Sequence, residues 1–243
     1  MPLIDYANPG RFLTFAGHTL PILRVLTGLI LLIGLFMVFF ASPPDYQQGE
    51  TVRIMYIHVP AAWLAMLCYA VMALAALGTL VWRHPLADVT GKAAAPIGAG
   101  FTLIALVTGS LWGKPTWGTW WVWDARLTSV LILFLIYLAL IAAWRAVEDP
   151  NRAARAAAIL TLVGTVNLPI IHYSVVWWNT LHQGRSVFRL DGPSIDPSML
   201  RPLLVMTLGA LLLFLTLLIS AMRNEIHRRR LRTLRLAEAG ATA

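Results

Sequence analysis

Charge is scarce in this chain and leans one way: charged residues make up 12% of 243, with 19 lysines and arginines against 11 aspartates and glutamates. A soluble globular domain carries about twice that charged fraction, so an ordinary water-soluble fold is excluded. Cysteine is scarcer still. The single one, Cys68, lies inside an apolar run, which rules out a disulfide, a thiolate metal cluster and a C-x-x-C-H attachment sequence. Any metal chemistry must therefore use histidine. Also missing are a G-x-x-x-x-G-K phosphate loop and any internal repeat, so the chain is not expected to hydrolyse nucleotides by itself.

What the chain has instead is apolar length. It is 58% hydrophobic, its mean hydropathy is +0.71, and six runs approach or exceed the roughly 20 residues a helix needs to cross a bilayer. These are residues 20–40, 57–81, 93–111, 127–144, 156–176 and 202–222. The expectation is an all-α integral membrane protein, a single domain over 1–243 formed by a six-helix transmembrane bundle. The residues before Leu20 lack the basic region and cleavage site of a removable signal, so the first span is expected to be retained. Small residues in "GKAAAPIGAG" and at Gly164 suit close helix packing, and Pro96 and Pro169 mark places for a kink.

The net charge of +8 invites a nucleic-acid reading, but its distribution points to a membrane. Arg11, Arg24, Arg83, Lys92, Arg145, Arg152, Arg155 and six arginines after Met222 make thirteen of the nineteen basic residues, all on one side. The positive-inside rule places that side, with both termini, in the cytoplasm. The tail "RNEIHRRRLRTLR" would then lie against the anionic leaflet of the lipid bilayer or a cytoplasmic partner. The outer side receives residues 41–56, 112–126 and 177–201.

The middle outer segment, "WGKPTWGTWWVWD", holds five of the ten tryptophans: Trp112, Trp117, Trp120, Trp121 and Trp123. Isolated rings such as Trp82 and Trp144 read as an aromatic belt. The cluster includes Gly113, Pro115 and Gly118, is too interrupted for an ordinary span, and reads as a surface for a flat apolar ligand. His58 and His182 flank the same face, while His18, His84 and His227 fall on the basic side. Neutral imidazole is a good iron ligand and a planar porphyrin needs flat apolar walls, so these pieces match haem. His172, expected to lie buried within the fifth span, competes for the second position, with a supporting role favoured. Asp124 can cap the following helix. Arg126 can pair with it or with a ligand carboxylate, with Arg53 and Arg185 as outer-side alternatives.

The stretch "WGKPTWGTWWVWDARLTS" closely resembles the WWD signature of the haem-handling proteins. With "MYIHVPAAW" before it and "VNLPIIHYSVVWWNTLHQG" after it, the chain is similar to the protein C family of the bacterial cytochrome c maturation system. The resemblance spans nearly all six helices. It implies a non-enzymatic protein of the inner membrane that binds haem b at the periplasmic face and passes it to a haem chaperone. It further implies His58 and His182 as axial ligands, with Trp112, Trp117, Trp120, Trp121, Trp123, Asp124 and Arg126 around the cofactor. The implied partners are an ABC-type ATPase with its membrane subunit and a small single-span membrane protein. The competing classes are a haem lyase, a membrane cytochrome b subunit and a scaffold whose tryptophans only anchor it.

Overall fold

A computed structural model describes residues 8–184 and 186–241. Its helices are α1 (Pro9–Phe36), α2 (Met55–Leu80), α3 (Ala87–Trp117), α4 (Ala125–Ala146), α5 (Pro150–Gly164), α6 (Asn167–Trp177) and α7 (Pro197–Ala241). Six helical segments among the described residues are long and apolar enough to cross a membrane, with α5 and α6 together making the fifth. The chain is thus an all-α, multi-pass membrane bundle.

Starts and stops follow local chemistry. Asn8 and Asp149 cap α1 and α5 with their side-chain oxygens, each followed by a proline at the first helical position, where the missing N–H costs nothing. The fifth span breaks between α5 and α6, a division that its continuous apolar pattern does not announce. Proline cannot donate to the carbonyl four residues back and its ring crowds that carbonyl; for Pro169 that residue is Thr165, where the helix stops. Thr165 N–H turns to Thr161 O and Leu162 O, and the chain restarts at Asn167.

The core is threaded by tyrosines whose hydroxyls reach backbone carbonyls, as apolar surroundings demand. Tyr137 Oη donates to Ala65 O (2.8 Å) and Tyr69 Oη to Thr161 O (3.0 Å). Both phenols are fully buried, and each lies against a glycine, Gly98 and Gly164 respectively, where any Cβ would collide with it. Trp144, read from sequence as a belt ring, instead packs against the core beside Gly91.

At the basic end α7 runs well past the expected span. Buried Glu225 accepts from Lys92 Nζ (2.8 Å), Arg228 Nη1 (3.0 Å) and Arg229 Nε (3.0 Å), and Arg229 Nη1 also reaches Asp88 (2.7 Å). Part of the basic tail is therefore neutralised within the bundle, while Arg230, Arg232 and Arg235 remain exposed.

Candidate functional site

At the opposite end, α2, α3, α4, α6 and the three outer connections surround a cavity of about 340 Å³, within the range of small-molecule sites. His58 stands in the first turns of α2 and faces α3. Its Nδ1 lies 3.1 Å from Thr108 Oγ1, and its ring rests on the backbone at Gly109, where a Cβ would come within 2.9 Å of His58 Cε1. His182 arrives from the connection between α6 and α7. The two imidazole centroids are 6.3 Å apart, with planes inclined by 30°. The Trp112 and His58 rings meet in a T-shaped contact with centroids 5.7 Å apart, as do those of Trp117 and His182 at 5.2 Å.

Helix α3 accounts for two of these walls. It continues through Gly113 and Pro115 to Trp117, contrary to the expectation of an interrupted segment from residue 112. Pro115 falls in the last turns, where its missing N–H loosens little, and Gly118 closes the helix in the left-handed region (φ 76°), its N–H donating to Lys114 O. Trp112 and Trp117 thereby point from a rigid element into the cavity. Trp112 Nε1 is fixed by Gln48 Oε1 of the first outer connection (2.7 Å).

The tryptophans expected to form one surface divide in two. Trp112, Trp117 and Trp121 line the cavity. Trp120 and Trp123 turn outward, 54% and 75% exposed, because residues 118–124 cross the bundle end as a short loop whose alternate rings face away. Lys114 Nζ sits 5.9 Å over the Trp120 ring. Asp124 is not a wall residue: it caps α4, accepting from Leu127 N–H (2.7 Å).

Arg126 lines the cavity, donating through Nη1 to Ile171 O (3.4 Å). Its Nε, Trp121 Nε1 and Asp124 Oδ2 are buried without a hydrogen-bond partner among the described residues. Two of those atoms are donors on the cavity wall, and buried donors ordinarily find an acceptor. The alternative cation Arg53 pairs with Glu50 and donates to Val38 O, outside the cavity; Arg185 falls outside the described residues. His172, expected to be buried, has an exposed side chain at the cavity edge beside Tyr173.

Several residues of the site carry no sequence signal: Gln48, Gly109 and Trp63 on the wall, Trp63 packing its ring against Phe188, and Thr108 beside His58. Only the tertiary pairing of α2 with α3 brings Thr108 and Gly109 under His58.

Burial, followed by the Arg126 guanidinium and the His58 ring, pushes the His182 imidazole down to about 3. It is therefore neutral across the physiological range, its lone pair available to a metal. Imidazole nitrogens bind such metals at about 2 Å. With each nitrogen roughly an ångström from its ring centre, two imidazoles on one ion have centroids about 6 Å apart. The observed 6.3 Å fits that spacing.

The family model described as heme exporter protein C matches residues 2–237. The chain is 64% identical over 243 residues to the heme exporter protein C of Bradyrhizobium diazoefficiens, covering 100% of this chain and 92% of that one. It is 53% identical over 224 residues to that of Escherichia coli K12 (92% and 90% covered) and 45% identical over 235 residues to that of Paracoccus denitrificans (96% and 97%). On a match that runs almost end to end, this six-span membrane chain belongs to the heme exporter protein C family.

Proposed function

We propose that this chain serves haem transport for cytochrome c maturation, binding haem b at the periplasmic face of the inner membrane and delivering it to a periplasmic haem chaperone. It acts as a carrier rather than a catalyst. The observation that carries the reading is the facing of His58 and His182 across a wall of tryptophans at the spacing of two imidazoles on one iron. Haem is the cargo, and the chain's own residues supply its grip. His58 and His182 would take the iron's axial positions through neutral nitrogens. Trp112, Trp117 and Trp121 supply flat apolar walls, each contact being worth on the order of 1 kcal/mol.

The unpartnered donors of Arg126 and Trp121 suit the propionate carboxylates, a charge-assisted pairing with Arg126 that exclusion of water strengthens. Trp120 and Trp123 remain outside the cavity on the exposed rim, where an incoming chaperone can meet the haem edge. The thirteen basic residues at the opposite end orient both termini to the cytoplasm. There the chain would meet the ABC-type ATPase; its membrane subunit and a small single-span protein would complete the complex within the bilayer.

Visible spectra of the purified protein test this. Wild type should give a six-coordinate haem spectrum, His58→Ala and His182→Ala should lose it, and added imidazole should restore haem binding in each by filling the vacated position. His172→Ala should change little. A His182 variant that keeps the six-coordinate spectrum, beside a His172 variant that loses it and is rescued by imidazole, refutes the ligand assignment.

A further inference from the structure

We infer that the two histidines are unequal: Thr108 locks His58 as the standing ligand, and His182 is the ligand that lets go when the cargo leaves. This rests on the haem site proposed above and adds an order of events to it.

The inference starts from counting protons. A threonine hydroxyl has one proton to give. Thr108 Oγ1 gives its proton to Ile104 O, 2.6 Å away in its own helix, so toward the imidazole 3.1 Å off it has only a lone pair. The contact then requires His58 Nδ1 to carry the hydrogen and donate it. With Nδ1 protonated, Nε2 is left bare as the ligand nitrogen. A hydrogen bond at the far nitrogen of a metal-bound histidine fixes the ring's orientation and raises its donor strength.

The ring's position is fixed as well as its tautomer, since it lies against the α3 backbone in the space Gly109 leaves open and belongs to a long helix. Among the described residues, His182 has neither support. It lies on the connection between Trp177 and Pro197, its own N–H tied to Thr180 Oγ1 two residues away (3.2 Å). Its ring is flanked by the rings of Trp117 and His58. Its neighbours Leu181, Gln183 and Gly184 are exposed, so a ligand group approaching from outside reaches this connection before it reaches α2. Exchange on that side leaves the iron held by His58 throughout.

Resonance Raman spectroscopy of the full-length, haem-loaded protein in detergent tests the inequality. In ferrous His182→Ala the iron is five-coordinate through His58, and its iron–histidine stretch should fall to lower frequency when Thr108→Val is added. Thr108→Ser should restore it. Carbon monoxide added to the ferrous protein with both histidines should displace His182, so the iron–carbonyl bands of that adduct should also respond to Thr108→Val. A stretch indifferent to Thr108→Val overturns the lock. Carbonyl bands that ignore Thr108→Val, while the five-coordinate stretch responds, show that His58 is the ligand displaced and overturn the order. Either result leaves a six-coordinate wild type, and with it the haem site, standing; a wild type with no six-coordinate haem overturns both readings.

Discussion

Replacing Gly109 by alanine should abolish haem coordination without weakening the bundle. A Cβ built at Gly109 stands 2.9 Å from His58 Cε1 and 3.4 Å from Nδ1, against 3.4–4 Å for ordinary contact. The imidazole must therefore retreat by about 0.5 Å or more, since closely packed atoms cannot share that space. A metal–nitrogen bond tolerates about 0.2 Å. The obstacle is the tip of a side chain rather than backbone, so the ring can swing aside, and alanine favours a helix interior over glycine by up to about 1 kcal/mol. The thermal midpoint of Gly109→Ala in detergent should accordingly hold or rise while its haem-to-protein ratio falls and its six-coordinate spectrum is lost. Gly100→Ala, on the same helix with nothing within 4 Å of the added carbon, should gain the helix contribution and keep its haem. A Gly109→Ala protein with the wild-type spectrum and haem content refutes the placement of His58 against α3 as the coordinating geometry.

Trp121→Ala should lower haem retention and Trp120→Ala should spare retention but slow chaperone loading, with exposed Trp82→Ala as the neutral control; equal loading by all three would reduce the cluster to an anchor. Trp144→Ala should cost about 3 kcal/mol of stability, a core truncation rather than a belt change, read as a drop in unfolding midpoint at unchanged haem content. His182 in the haem-free protein should remain neutral far below the ordinary imidazole value of about 6.5, so nitrogen NMR of labelled histidine should place its midpoint near 3. Because the unfolded chain takes up this proton near 6.5 and the folded one only near 3, the stability it contributes falls as pH drops through that interval; a midpoint near 6.5 refutes the burial. Reporter fusions at Pro115 and Arg152 should report periplasm and cytoplasm respectively, and the reverse at either position removes the outer site.

The architecture was readable because membrane helices are written in length and composition. Six apolar runs became six helical segments long and apolar enough to cross, and the asymmetry of arginine predicts their orientation. The boundaries were not readable, for a reason that α3 illustrates. Gly113 and Pro115 look like breakers in water, but in the last turns of a long helix they remove little, and only Gly118, with its positive φ, ends it. Pro169 has the reverse history. It sits in a run apolar enough to span unbroken, yet its conflict with the Thr165 carbonyl divides the span, and Asn167 then donates to Ser129 O of α4 (2.9 Å). Punctuation acts by its distance from a helix end, which a hydropathy pattern does not encode.

The site was legible to the extent that its chemistry belongs to residue types. Two histidines and several tryptophans at one depth suggest a flat, metal-bearing ligand whatever the details of packing. What was hidden is the packing that would make the histidines of the proposed site ligands rather than neighbours. Thr108 and Gly109 are unremarkable residues fifty positions from His58, and their role exists only once α2 lies along α3 and one side chain is missing. Asp124 shows the opposite limit: the most conspicuous carboxylate of the motif turns its Oδ1 to the N-terminus of α4. By capping α4 it sets where that helix begins, and so where Arg126, two residues on, enters the cavity. Its place in the structure is positional, a backbone hydrogen bond at the start of α4 away from the cavity wall.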